Sequence, residues 1–252
     1  MKLKTLFEKQ EESEDQWIAT SDIMATLMLI FAFIAMTSSF QTIQKITEHT
    51  ELIESKIYKA LIKEFSLFER EAWGAEIDPE TGMVTFSGAI VQFNTGSDQI
   101  APGFKKILDE FIPRYVSTLR LFQGHIQEVD VEGHTDSDPP ANIKKNFINK
   151  TKYERESYNY NMNLSQRRAF SVVKYSLNKI DESLFAELNH WFEEKLRAVG
   201  YSFSQLICDN TQECKPGFEN KEKSRRVQFR IRFNNSPLYE EIKKLKEVRP
   251  SQ

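Results

Sequence analysis

The sequence WIATSDIMATLMLIFAFIAMTSSF, residues 17–40, divides the chain into an apolar segment and a longer polar remainder. From Ile18 onwards it has about 23 residues, which as an α-helix cover roughly 35 Å, more than the hydrocarbon core of a bilayer. The run follows an acidic leader and ends in Thr37, Ser38 and Ser39 without an Ala-x-Ala cleavage site. We therefore predict an uncleaved transmembrane helix over residues 17–40.

The chain as a whole has the composition of a soluble protein, an average that hides the apolar segment. Of 252 residues, 40% are hydrophobic and 28% charged, with a net charge of −3. This balance gives no reason to expect a nucleic-acid partner. Lys and Arg on the two sides of the span barely favour either orientation. The short leader, residues 1–16, suits a cytoplasmic tail, which predicts a single-pass bacterial inner-membrane protein with a periplasmic C-terminal domain.

One charged residue, Asp22, lies within the span. A carboxylate at the bilayer centre costs about 2.5–3.5 kcal/mol, so its presence favours a functional role as a reversible ion carrier. The alternative is structural: Ser21 or Asp22 could cap the first amides of the helix at the membrane interface.

The segment after the span, residues 41–70, keeps an apolar pattern at steps compatible with a heptad. This pattern predicts a coiled-coil linker and a homodimer. The alternative is a single amphipathic helix packed on the following domain. The positions concerned are Ile43, Ile46, Ile53, Ile57 and Ala60.

Residues 71–235 read as a separate α+β domain. We predict strands on both sides of a turn in 77–86, a strand at 90–93, a helix over 102–122, a strand at 128–132, a polar loop over 137–160, helices through 164–177 and 184–196, and strands at 197–201 and 225–233. This βαβαββ order predicts a sandwich of one mixed sheet with helices on one face, followed by a charged tail, residues 236–252.

Two cysteines, Cys208 and Cys214, flank the polar, turn-like sequence DNTQE. In an oxidising compartment such a pair can close a small loop, which contributes about 2 kcal/mol of stability. We expect a disulfide here, in agreement with an exported domain.

Several motifs, in order along the chain, resemble the OmpA-like peptidoglycan-binding domain shared with MotB-type stator subunits. They are FNTGSDQI (93–100), VEGHTD (131–136), NMNLSQRRA (161–169), AVGY (198–201) and SRRV (224–227). The loop after Asp136 and the segment 181–196 are longer than is typical of that family.

The resemblance implies that the ligand is the peptide stem of the cell wall, whose diamino acid carries an ammonium and a carboxylate. Asp136 would receive the ammonium, and Arg168 the carboxylate through its planar fork. Thr135, Asn161 and Leu164 would shape the wall of the site. Without the family, Asp136 capping a turn and Arg168 on a solvated helix face would explain the same residues.

His134 lies beside Asp136, but no second His or Cys follows at metal-ligand spacing, and no Ser-His-Asp arrangement is evident. We expect no enzyme activity, no metal and no cofactor, and a structural role for this histidine.

The span itself is similar to the B-type stator subunits of Zorya anti-phage defence systems, through SDIMATLM (21–28) and FAFI (31–34). The resemblance implies a B dimer inside a ring of MotA/TolQ-like multi-span A subunits, with Asp22 carrying protons that drive rotation and the distal domain holding the dimer to peptidoglycan. Two alternatives are a flagellar MotB-type stator subunit and a passive OmpA-like wall tether.

Overall fold

The computed structural model describes residues 2–88, 92–138, 150–181, 186–209 and 214–234. The chain divides into an N-terminal unit that begins with Met1–His49 and a compact unit that spans Thr50–Asn235. The compact unit therefore begins earlier than the domain boundary predicted at residue 71. The N-terminal unit contains most of the first helix, α1 (Lys2–Glu64).

Within α1, residues Thr20–Gln44 have a mean hydropathy of 2.1 and are long enough to cross a membrane. The residues of this stretch lie exposed, as expected for a surface that lipid would cover. In the described parts of the chain it is the one helix with this property. The observed segment is shifted by a few residues from the predicted span.

A five-stranded sheet forms the centre of the compact unit, in the order β1-β2-β5-β3-β4. The pair β3–β4 is parallel and the other neighbours are antiparallel. The strands are β1 (Ala75–Ile77), β2 (Val84–Phe86), β3 (Ile126–Gly133), β4 (Leu196–Gly200) and β5 (Val227–Phe233). The predicted α+β class with one mixed sheet is confirmed.

Five further helices complete the described part of the unit. They are α2 (Leu67–Trp73), α3 (Pro102–Arg120), α4 (Lys150–Asp181), α5 (Ala186–Lys195) and α6 (Lys221–Ser224). Pro102 begins α3, where its missing N–H costs no hydrogen bond.

The two faces of the sheet differ in chemistry because side chains alternate along each strand. Val129 and Val131 of β3 are fully buried in the hydrophobic core, with Phe229 of β5 against Phe111 of α3 at a ring-centroid distance of 5.3 Å. The opposite face carries charged pairs, and the fully buried Glu132 accepts a 2.6 Å hydrogen bond from Arg230.

The end of α1 belongs to this core. Ile53, Ile57 and Leu61 are buried in the chain's own hydrophobic cluster, whereas Ile43 is exposed. This arrangement corresponds to the packed amphipathic helix that was the alternative for residues 41–70. It corrects the coiled-coil prediction for Ile53 and Ile57, because side chains already in the core cannot also form a seam. The dimer stays a prediction for the turns before Thr50.

Helix α4 begins earlier than expected, since residues 150–160 were predicted as loop and are helical. Residues 139–149 of that loop lie outside the described residues, as do residues 90 and 91 of the predicted strand at 90–93 and the tail 236–252. The described end of that strand, Phe93, forms an isolated antiparallel bridge with Ile100. The predicted disulfide between Cys208 and Cys214 is present.

Helix α4 approaches the sheet so closely that two strand positions accept only glycine. A Cβ added at Gly133 would lie 2.3 Å from the carbonyl oxygen of Ser165, and one at Gly200 would lie 2.6 Å from the backbone nitrogen of Gln166. Ser165 also accepts a hydrogen bond of 3.0 Å from the amide of Ser202. These contacts fix the middle of α4 against the ends of β3 and β4.

Candidate functional site

A cleft of about 790 Å³ opens at the end of β3, beside the middle of α4. It contains all five residues predicted to bind the ligand: Thr135, Asp136, Asn161, Leu164 and Arg168. Thr135 and Asp136 lie two and three residues after the end of β3, and the other three lie on one face of α4, at spacings of three and four residues. Two motifs that lie far apart in the sequence thus contribute residues to the same cleft.

Asp136 is one of the carboxylates that line the cleft, together with Asp138 and Glu222, and its side chain is 11% exposed. Its Oδ2 accepts a hydrogen bond of 2.6 Å from Nη1 of Arg225, and its Oδ1 accepts one of 3.1 Å from the amide of Asp138. The carboxylate therefore already has a cationic partner from the chain itself.

Arg168 is one of the arginines that line the cleft, together with Arg225 and Arg226, and it is almost completely buried. Its Nε donates to the carbonyl of Ser97 at 2.9 Å, its Nη2 donates to that of Asn94 at 3.1 Å, and its guanidinium lies 5.0 Å from the ring centre of Phe93. In the described residues it has no carboxylate hydrogen-bonded to it. Burial lowers the pKa of Arg168 to about 10, so the group remains charged at neutral pH.

The remaining predicted residues form the wall. Asn161 donates from Nδ2 to the carbonyls of Asp138 and Ser157 at 3.3 and 3.2 Å, which joins α4 to the loop after β3. Leu164 is buried. The buried Oγ1 of Thr135 has no hydrogen-bond partner among the residues that the structure describes, although the Thr135 amide donates to the carbonyl of Ser202 at 2.9 Å. Such an orphaned hydroxyl is available to a ligand.

His134 packs as a planar core group. Its ring stacks on Tyr201 with 5.0 Å between the centroids, and its Nε2 lies 3.6 Å from Oε2 of Glu132, beyond hydrogen-bond distance. Burial lowers the pKa of His134, which favours the neutral ring. No group of three metal-ligating side chains converges in the parts of the chain described here.

Sequence reasoning gave no role to the polar groups that hold the two charges in place. Asn94 and Ser97 supply the acceptors for Arg168, and Arg225 supplies the partner of Asp136. All three belong to motifs that carry the family resemblance, and their presence in those motifs was the one sequence signal that could have indicated a role in the cleft.

Asp22 lies on α1 near the start of the apolar stretch, and α1 is helical on both sides of it. An N-cap residue has non-helical backbone and begins a helix. Asp22 lies well inside α1 and is therefore not its N-cap in this structure. Thr26, one turn later, lies on the same side of the helix.

The fold and the cleft define the class first: an α+β domain with one mixed five-stranded sheet and a cleft at the end of β3, in a chain whose described part also has one helix of membrane length. No protein-family model matches the chain. The Zorya protein ZorB of Escherichia coli (strain Crooks) is 35% identical over 232 residues, covering 90% of this chain and 91% of the relative. The chain belongs to the ZorB family, which confirms the resemblance seen in the sequence.

Solved structures with similar folds are more distant. A MotB-like protein from Desulfovibrio vulgaris is 19% identical and covers 75% of this chain and 97% of its own, with a TM-score of 0.46. The periplasmic domain of Helicobacter pylori MotB is 16% identical, with coverages of 70% and 92% and a TM-score of 0.40. The OmpA-like domain of FopA1 from Francisella tularensis is 16% identical, with coverages of 64% and 81% and a TM-score of 0.36.

Proposed function

We propose that this chain is the B-type stator subunit of a proton-driven rotary motor in a Zorya anti-phage defence system. Membership of the ZorB family supports the system, and the helix of membrane length supports anchoring in the inner membrane. In this proposal the N-terminus is cytoplasmic, the compact unit is periplasmic, and two copies lie within a ring of MotA/TolQ-like A subunits.

The cleft binds the peptide stem of peptidoglycan. The observation that carries this assignment is Arg168, a buried cation with backbone acceptors and no hydrogen-bonded carboxylate in the described chain, in the same cleft as Asp136. A buried cation to which no carboxylate is hydrogen-bonded is costly, so a ligand carboxylate would be favourable there. The ligand ammonium would bind Asp136, and Thr135 Oγ1 offers a further polar contact.

Asp22 is the ion carrier. A carboxylate within an apolar helix, at a position where no backbone amide needs a cap, has no structural use that repays its cost in a bilayer. Asp22 would alternately take up and release a proton, which changes the charge that faces the A ring. Because the dimer is anchored at the wall, this change of charge would produce torque on the ring.

A phage-challenge assay tests the motor. Asp22→Asn removes the charge and keeps the size, so we expect protection to be lost at unchanged expression. Thr26→Ser, one turn away, keeps a hydroxyl and serves as the control. Full protection by Asp22→Asn would contradict the ion-carrier role and favour a passive tether.

Pull-down of the full chain with purified cell wall tests the cleft. We expect Asp136→Ala and Arg168→Ala each to abolish retention. Arg167→Ala is the matched control, because Arg167 is half-exposed and faces Asp98 at 3.4 Å. Retention of both cleft variants would overturn the assignment. A swimming assay on the same strain separates defence from the flagellar alternative, for which motility rather than protection would be lost.

A further inference from the structure

Three consecutive residues after β3 are tied by side chains to one later segment, residues 217–225. Asp136 accepts from Arg225 at 2.6 Å. Glu219 accepts from the amide and the hydroxyl of Ser137 at 3.1 and 2.6 Å. The third tie joins Asp138 to Lys221, whose Nζ lies 2.7 Å from Oδ1. These ties hold the segment beside the cleft, which Glu222 and Arg225 of this segment line.

The first of these ties differs from the others because it uses the carboxylate expected to bind the ligand. Arg225 places its guanidinium on Asp136, in the position of a ligand ammonium. Its side chain is 49% exposed, against 11% for Asp136. The cation can therefore leave for solvent, whereas the carboxylate stays where it is.

The neighbouring arginine shows what a fixed guanidinium looks like in this segment. Arg226 is buried, and its Nη1 donates to the carbonyls of Gln205 and Ser224 at 3.0 and 3.3 Å. Arg225 follows the four-residue helix α6, and its amide donates to the carbonyl of Lys221. Its backbone is thus held while its side chain is free to turn away from Asp136.

We propose that Arg225 is an internal counter-ion that competes with the ligand ammonium for Asp136 and so sets the affinity and selectivity of the cleft. This inference rests on the proposed function of the cleft. In the empty cleft Arg225 neutralises Asp136, and a neutral or weakly cationic ligand cannot replace it. A ligand that places an ammonium on Asp136 releases Arg225 to water, with the local charge balanced before and after.

The test measures binding of a soluble stem peptide with a free side-chain amine to the full chain in detergent, by calorimetry. The variants are Arg225→Gln and Arg225→Met; the second keeps most of the aliphatic stem. Because a partly exposed ion pair contributes up to about 1 kcal/mol, we expect both variants to bind about fivefold more tightly than the wild type. Lys221→Gln removes the same charge from the neighbouring tie, and we expect its affinity to stay within about twofold.

The same peptide acetylated on that amine should show no gain with either Arg225 variant. Equal or weaker binding of the free-amine peptide by both variants would overturn the proposal. Weaker binding would mean that Arg225 contacts the ligand, and equal binding would mean that Arg225 has no effect on it. Asp136→Asn distinguishes a failure of the Arg225 proposal from a failure of the proposed ligand site. Loss of binding by this variant supports the cleft even if the Arg225 result is negative, whereas unchanged binding would overturn the proposed ligand site itself. Melting curves of each variant establish that it is folded.

Discussion

Gly133→Ala tests whether close approach of α4 to the sheet holds the site together. The new Cβ would lie 2.3 Å from the carbonyl oxygen of Ser165 and 3.1 Å from its carbonyl carbon. Both are backbone atoms, so no side-chain rotation relieves the clash and α4 must move. Overpacking of this kind costs about 3 kcal/mol. For a unit of this size we expect the melting temperature of the full chain in detergent to fall by roughly 6–12 °C.

The same displacement should weaken binding of the stem peptide, since α4 carries Asn161, Leu164 and Arg168. Gly217→Ala is the control: its Cβ would have nothing within 4 Å, but its φ of +92° is unfavourable for alanine, so about 1 kcal/mol is expected. Ser165→Ala should not rescue Gly133→Ala, because the clash is with the carbonyl. A Gly133→Ala protein that melts within about 2 °C of wild type would refute the reasoning.

Three further predictions concern other parts of the domain. The Arg114 guanidinium holds the pKa of Glu69 at about 2, below its usual 4.5. This pair therefore stabilises the fold above pH 4.5 and loses that contribution as the pH falls towards 2. Melting curves recorded from pH 4.5 to pH 2 should show a smaller loss of stability for Arg114→Met than for the wild type. Ile57→Ala should destabilise the compact unit by about 3 kcal/mol in denaturant melts and Ile43→Ala by less than about 0.5 kcal/mol, whereas a seam along both positions would give a comparable loss at each. Cys208→Ser should lower stability by about 2 kcal/mol in calorimetry, and a reducing agent should reproduce the loss in wild type but add nothing in the variant.

The elements that the sequence predicted well are those with a strong local signal. Helix α3 has buried apolar residues at helical spacing, and β3 alternates Val129 and Val131 with charged residues. The cleft residues could be predicted because their motifs resemble a family, although nothing local indicated that Asp136 and Arg168 line the same cleft. Periodicity and motif resemblance thus account for most of the sheet, the helices and the proposed ligand contacts.

The remaining features depend on contacts that a local pattern does not contain. An apolar stripe at steps of three and four gives no information on its partner, so Ile57 fitted a seam and a domain core equally well. The first turns of α4 are polar, with Ser157 among the few buried residues there, so the segment reads as loop. Arg225 lies 89 residues from Asp136 along the chain, and no spacing rule connects them.

The strand order has a consequence for crowding. Its two edges are β1, which is three residues long, and β4, which is five, and they carry the exposed charges of Glu76 and Arg197. Long, flat, apolar edges recruit strands from other chains, whereas short and charged ones are poor templates. Many copies can therefore be held close together on one surface without their sheets joining edge to edge.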